Sequence, residues 1–563
     1  MLPSRRLPDW LLPLGLSLFL SVLLLLPFFW LGTASGHDFE FHAANWFDAA
    51  SQWKEGILYP RWTAWTNYQF GEPRFIFYPP LSWMLGAALT LLVPDPAVPI
   101  LYLVLVQTLA GLSAYFLLRN LVTPRAAILG AACYVINPNA LLITYIRSDF
   151  AEQLACALFP LLLLAALRLC GFLDDSAPKP SSLALFAIPF AAVWLSNAPA
   201  GVIASYSLTL LFAWAGFSER SWRPLSRGAA GLMLGLGLAS FYLLPAAYEQ
   251  RWVNIAQALS SGLLPSQNFL FTTIADPEHT WFNWIASICA LSLILLLGLA
   301  ALASRRFSSA DNSTSLARKA SLGLLLLGAA ATLLTLRLTL PLWNYLPKLR
   351  YVQFPWRWMS VIALIAICFL AWAMEKRRGW LWFPALFLLT VPLAYFQVQN
   401  TWWDEDEMPT MHDAVVNGNG FDGTDEYDPL GDDHLDLPKD APPVKILPLD
   451  PNDPTTPQAQ IQVQRWATEH KDLRVESQSR ARVALRVLNY PAWRVQRNGK
   501  PISPERMDDF NQMVIPVEAG TSEIRADFMR TPDRTVGGAI SAASSLFAVL
   551  LLWLGRMRTN KEN

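Results

Sequence analysis

Charge is in short supply in this sequence. Only 15% of its 563 residues are Asp, Glu, Lys or Arg, where a soluble domain carries about a quarter, so most of the chain is solvated by lipid or by itself. The 43 basic and 43 acidic residues cancel. The bases fall in short clusters between apolar runs and form no basic face, which excludes a nucleic-acid footprint. Cysteine is also scarce: Cys133, Cys156, Cys170, Cys289 and Cys368 each lie in or beside an apolar run, without metal spacing. No disulfide framework follows from them. His37 and His42 have no third ligand close by in sequence, against a structural zinc site. Asp422, Asp425, Glu426 and Asp428 miss the spacing of a calcium-binding loop.

Apolar runs are what the chain has instead, with 53% hydrophobic residues and a mean hydropathy of +0.31. The first, Trp10 to Leu31, follows Arg5 and Arg6; it is longer than a signal-peptide core and many more follow, so it reads as a retained helix. Testing the runs against Lys and Arg predicts further spans near 98–118, 126–143, 152–170, 182–198, 200–216, 228–246, 282–303, 320–336, 357–374, 380–397 and 535–555. That makes about twelve, with both termini cytoplasmic. Ser82 to Val93 is too short and proline-bracketed to cross, and is expected to be re-entrant or interfacial. The sequon Asn312-Ser313-Thr314 then falls in an internal loop and carries no glycosylation message.

The predicted division is a transmembrane domain over 1–398 with an outer loop at 32–97, an extracytoplasmic domain over 399–533, and a last helix with a cytoplasmic tail over 534–563. Trp46, Trp53, Tyr59, Trp62, Trp65 and Tyr68 in the first loop predict two short helices lying on the membrane. In the outer domain, 404–455 is acidic and rich in Pro and Gly and is expected to be irregular, with Asp404-Glu405-Asp406-Glu407 a solvated linker. Period-two stretches such as Arg482 to Val487 and Ile524 to Phe528, with an Asn498-Gly499 turn, predict antiparallel strands over 456–530 in a β-sandwich-like domain.

Gly36-His37-Asp38-Phe39-Glu40-Phe41-His42 follows the first helix directly, so Asp38 should emerge where a membrane enzyme holds its base. Other loops predicted on the same side carry Arg61, Glu72 and Arg74; Arg147, Asp149 and Glu152; and Arg350, Gln353 and Arg357. Transfer of a sugar from a lipid phosphate needs this mixture: a carboxylate takes the acceptor's proton, and cations or a metal ion stabilise the departing phosphate. Arginine suits the phosphate because its planar fork pairs two oxygens at once. Each residue also has a plainer reading: Asp38 as a loop acid, Arg147 with Asp149 as an interfacial pair of little worth, Glu152 as an acid favoured by a helix dipole, and Arg357 as a snorkelling anchor.

The order of parts resembles the GT-C superfamily of membrane glycosyltransferases: one helix, an outer loop opening with Asp38, surface helices ending in Tyr78-Pro79-Pro80-Leu81, a span ending in Arg119, and the loop Arg147-Ser148-Asp149-Phe150-Ala151-Glu152. More closely, the chain is similar to YfhO-like proteins and the 6-pyruvoyl-tetrahydropterin synthase-related membrane family. That match rests on His37-Asp38 with Phe41-His42, Tyr59-Pro60-Arg61-Trp62, Gly71-Glu72-Pro73, Gln353-Phe354-Pro355-Trp356-Arg357 and Tyr490-Pro491-Ala492-Trp493. The pterin name implies no chemistry here, since a zinc-dependent pterin enzyme needs a histidine triad. The resemblance implies a polytopic helical fold and an inverting transferase using a polyprenyl-phosphate sugar donor and a glycan, lipid or protein acceptor, in the bilayer of the bacterial cytoplasmic membrane. It implies Asp38 as base, Asp149 or Glu152 as assisting acid, and a divalent ion (Mg or Mn) at Asp38 and Glu152 in those members that need one. Arg147 and Arg357 are then expected on the donor phosphate, with His37, His42, Arg61 and Gln353 lining the substrate site. Two other classes are weighed. A glycan transporter would show polar residues at mid-membrane, where these spans carry almost no charge; an assembly protein would give the first-loop acids no reason to meet the arginines.

Overall fold

The computed structural model describes residues 8–173, 179–305, 315–375, 379–431, 437–450, 457–506 and 510–562. The sequon at 312–314, Arg306 and the cluster Lys376-Arg377-Arg378 lie outside them.

Among the described residues, nine helices are long and apolar enough to cross a membrane, with a tenth if a bent pair counts as one span. They run over Leu11–Leu31, Ala97–Leu118, Pro124–Arg147, Phe150–Cys170, Ala198–Glu219, Pro277–Ser304, Leu316–Leu334, Pro355–Met374 and Pro532–Met557. They match nine of the twelve expected spans; among the described residues the other three are helical but short, bent or interrupted by proline. Pro180–Ser196 is a 17-residue helix, and the run predicted at 228–246 breaks into Arg223–Leu238 and Ser240–Trp252 with a 78° bend. Trp382–Gln399 is an 18-residue helix with Pro392 inside it. Pro80–Thr90 has 11 residues, about 16 Å at 1.5 Å per residue, well short of the ~30 Å a bilayer core demands.

The two ends of the bundle differ in character. At one, Thr123 N donates to Glu375 Oε1 (2.6 Å), Arg168 Nη2 to Asn120 Oδ1 (3.3 Å) and Trp214 Nε1 to Lys319 O (2.9 Å), so the basic loops gather there. At the other end sit the first long loop, the β-domain and the loops around Arg147, His279 and Phe354.

The β-domain is two antiparallel sheets sharing one core. The four-stranded sheet runs, in order, Val444–Leu447, Ala481–Leu488, Gln512–Val517, Glu505–Arg506; the five-stranded sheet runs Ala459–Ala467, His470–Ser477, Gly520–Phe528, Trp493–Arg497, Lys500–Ile502. Val475, Ile524 and Ala526 meet Val483, Leu485 and Ile515 between them. The hairpin Trp493–Ile502 turns at Asn498-Gly499, both at positive φ (52° and 75°), as a two-residue turn requires.

Two expectations are corrected here. The first loop's rings were expected at a membrane surface, but two of them pack inside protein: the helix Phe39–Lys54 is largely buried, Trp46 stacking on Tyr102 at 5.5 Å, and Trp62 packs against Tyr490, Trp493 and Phe528 in the β-domain core. Trp46 is thus buried against the bundle and Trp62 against the β-domain. Nor is the acidic segment wholly irregular. Trp403–Asp404 pairs with Thr33–Ala34, Asp404 Oδ1 caps the helix Glu407–Val416 by accepting from Asp406 N and Glu407 N, and Asp422 and Asp428 accept from Tyr68 and Asn67. Apart from the local cap by Asp404, these pairings were hidden because their partners lie more than 300 residues away.

Candidate functional site

Three backbone ties hold the first loop against the loop after Arg147. Gly36 N donates to Ser148 Oγ (3.0 Å), Asp38 N to Arg147 O (2.9 Å), and Ser148 Oγ to Ala34 O (2.6 Å). A Cβ on Gly36 would stand 2.3 Å from Ile146 O, so the approach needs glycine. The span ending at Arg147 closes in a single π turn, Ile143–Arg147, after which Ser148 takes a left-handed conformation and Asp149 caps Phe150–Cys170 through Glu152 N (2.9 Å). Single π turns of this kind are frequent at functional sites.

The result is a buried ionic cluster. Arg147, 3% exposed, donates from Nη1 to Glu152 Oε2 (3.0 Å) and from Nη2 to Asp149 Oδ2 (3.1 Å) and Asp38 Oδ2. Arg357 donates from Nε to Glu152 Oε2 (3.0 Å), reaches Asp149 Oδ2 at 3.5 Å, and spends Nη1 on Val352 O (3.0 Å). Three carboxylates therefore face two guanidiniums. His42 Nε2 stands 3.5 Å from Asp149 Oδ1, at the outer limit of a hydrogen bond; neither ring nitrogen makes a well-formed one. Burial alone would raise the Asp149 carboxyl, but His42, Arg147 and Arg357 hold it below the usual carboxylate range.

Beside the cluster opens a cavity of about 690 Å³. His37, Asp38 and Arg147 line one wall; Asn268, Glu278 and His279 line another; Trp281, Phe282, Phe354, Trp356 and Trp402 supply aromatic faces. Asp38 is the exposed member of the ionic cluster, its side chain 34% accessible. Burial lowers the His37 imidazole's pKa, and Arg147 and His279 push the same way against Asp38.

The predicted residues thus divide. Asp38, Arg147, Asp149, Glu152 and Arg357 come together, with His42 at the edge. Of the nine, only His37, Asp38 and Arg147 reach the cavity; Asp149, Glu152 and Arg357 sit behind it. Gln353 is turned away, its Nε2 donating to Ala258 O (2.7 Å) and its Oε1 at 3.5 Å from Arg357 Nη1. Arg61 is elsewhere, stacked on Tyr59 at 4.1 Å and reaching Phe241 O. The expectation that Arg147 and Arg357 hold the donor phosphate is corrected: carboxylates and the Val352 carbonyl engage their guanidiniums, and Phe354 and Trp356 cover their faces at 4.8–5.5 Å. A divalent ion shared by Asp38 and Glu152 does not fit either, because Arg147 bonds both and stands where the ion would have to sit. Among the described residues, no three His, Cys, Asp or Glu side chains come together to hold a metal.

Sequence reasoning missed Asn268, His279 and Trp402. The available signal was Asp276-Pro277, a helix start whose first turn carries His279: Asp276 Oδ1 accepts from Glu278 N (2.9 Å) and His279 N (3.3 Å). It also missed uncharged polarity inside the bundle, where Gln107, Asn137, Asn139 and Gln153 line a second cavity of about 10 Å³. Counting charges alone passed over these amides.

A model of the 6-pyruvoyl-tetrahydropterin synthase related domain, a membrane protein family, matches residues 75–401, more than half of the chain. The chain belongs to that family. Comparison with curated proteins and with solved structures gave no match. The stretch matched to the pterin-synthase-related domain carries Arg147, Asp149, Glu152, His279 and Arg357; Asp38 and the β-domain lie outside it.

Proposed function

We propose that this membrane protein is an inverting glycosyltransferase of GT-C type, akin to the YfhO-like proteins, moving a sugar from a polyprenyl-phosphate donor to a hydroxyl on a glycan, lipid or protein acceptor. Asp38 takes the acceptor's proton as the acceptor oxygen bonds to the anomeric carbon. The bond from that carbon to the phosphate oxygen breaks, and its electron pair leaves with the polyprenyl phosphate. The observation that carries the reading is that, of the carboxylates lining a large aromatic-walled cavity, Asp38 is the accessible one anchored by a buried arginine. Such a cavity has the size and lining of a small-molecule site, and a base must be fixed to work. Asp149, Glu152 and Arg357 act through Arg147, positioning it.

The basic loops at the opposite end of the bundle support an outward-facing cavity in the bacterial cytoplasmic membrane, with both termini inside. The meeting of Asp38 with Arg147 tells against an assembly protein, which has no use for it. Against a transporter stands the placing of charge, which gathers at the ends of the spans and leaves each apolar stretch with at most two Asp, Glu, Lys or Arg. The direct experiment presents the purified chain in proteoliposomes with a panel of radiolabelled polyprenyl-phosphate sugars and an envelope extract as acceptor. Label should leave the lipid for a polar product; a chain that leaves every donor intact overturns the reading.

A further inference from the structure

The cavity wall facing Asp38 is organised by Asn268. Its Nδ2 donates to Gly262 O (2.8 Å) and Leu264 O (2.9 Å), which uses both amide hydrogens, so Oδ1 can only accept. His279 Nε2 stands 2.8 Å from that oxygen and therefore keeps its proton in the neutral and the charged ring alike. Nδ1 is the one position free to change. It lies on the side of Gly262, 3.9 Å from where a Cβ on that glycine would stand, and Gly262 and His279 both line the cavity.

The cavity needs such a group. Arg147 is the one Lys or Arg among its lining residues, and three carboxylates engage it. What positive charge remains must come from His37 or His279. His37 stands beside the Asp38–Arg147 pair, on the wall those two already occupy, whereas His279 is held by Asn268 on the wall that has no Lys or Arg. The charged groups facing His279 are Asp276 and Glu278 on its own segment and His37, Asp38 and Arg147 across the cavity. Asp276 is already bonded to backbone N–H groups.

We propose that His279, oriented by Asn268, is the phosphate-binding group of this cavity: as imidazolium, it donates from Nδ1–H to an oxygen of a phosphate diester. That the diester is a lipid-linked sugar rests on the transferase reading. The proton stays on the ring throughout, offsetting the charge that collects on the phosphate as its bond to the sugar breaks.

The test titrates the full chain in detergent with farnesyl methyl phosphate, whose single charge is constant between pH 5.5 and 8, and with dimethyl phosphate as the headgroup alone. Tryptophan fluorescence reads occupancy, since Trp281, Trp356 and Trp402 line the cavity. Binding should tighten about tenfold from pH 8 to 5.5 as the imidazole gains charge. His279→Gln keeps an N–H toward Asn268 but puts nothing at Nδ1, and should bind weakly with no pH slope. Equal binding of both probes marks the headgroup as the ligand; binding of the farnesyl diester alone marks a lipid-linked phosphate. A pH slope that survives His279→Gln, or a wild-type chain that binds neither probe, overturns the proposal. Should His279→Gln fail to fold, Asn268→Asp decides: a carboxylate beside Nε2–H favours the imidazolium and should move the midpoint up by about one pH unit, and an unmoved midpoint overturns the inference. Lost transfer with the pH-dependent binding intact sinks the transferase reading alone; retained transfer with the slope unchanged in His279→Gln sinks this inference alone.

Discussion

Arg147 is the residue on which the cluster turns, since Asp38, Asp149 and Glu152 all bond it. Removing one partner of a buried ionic network leaves charges uncompensated, at a cost of about 3–5 kcal/mol. Arg147→Met should therefore lower the unfolding temperature of the detergent-solubilised chain markedly, and Arg147→Lys should recover only part, because a point charge cannot bridge three carboxylates. A melting curve like the wild type's for Arg147→Met would contradict this. Lys471 makes a different case: buried in the β-domain, its Nζ faces Ala467 O and Thr468 O, and burial lowers its pKa from 10.5 to about 7. Between those values the unfolded chain binds the extra proton, so β-domain stability rises with pH from about 7 to 10.5, by on the order of a few kcal/mol. Below pH 7 both states are protonated and the slope ends. Lys471→Met should abolish the slope in urea titrations followed at several pH values; a slope that persists assigns it to another group.

At the scale of elements, the site depends on one close approach. Gly36→Ala puts a methyl against Ile146 O, and should push Asp38 away from Arg147 while leaving the spans intact. The expected result is a chain that inserts and purifies normally but has lost at least tenfold in transfer; unchanged transfer would mean that the contact has no functional weight. Much of this scale was legible beforehand. The Asn498-Gly499 hairpin and the alternating strands follow from local patterning, and helix ends brought Asp38, Arg147, Asp149, Glu152 and Arg357 together as their loop positions implied. The helix Glu407–Val416 and the strand Trp403–Asp404 were not legible, because their stabilising partner is the first loop, far off in sequence. Arg61 and Gln353 were misjudged for a related reason: a shared end of the bundle does not decide which way a side chain turns.

At the scale of the whole molecule, the first loop works as a mortar between bundle and β-domain. The last helix is latched to both: Arg534 donates to Glu249 from Nε (2.7 Å) and Nη2 (2.8 Å), and Tyr490 Oη donates to the same carboxylate at 2.6 Å. The proposed orientation is open to a clean labelling experiment, since the five native cysteines are all buried. Ala519→Cys, on an exposed β-domain turn, should react with an impermeant maleimide in intact cells, and Thr123→Cys, at the basic end, only after lysis. The reverse pattern would turn the molecule over. The most direct measurement compares wild type with Asp38→Asn for transfer from a polyprenyl-phosphate sugar in proteoliposomes, with cavity fluorescence as the check on folding. Loss of at least a hundredfold in rate with the cavity intact is the predicted result; an undiminished rate would contradict the role given to Asp38 and the reading built on it.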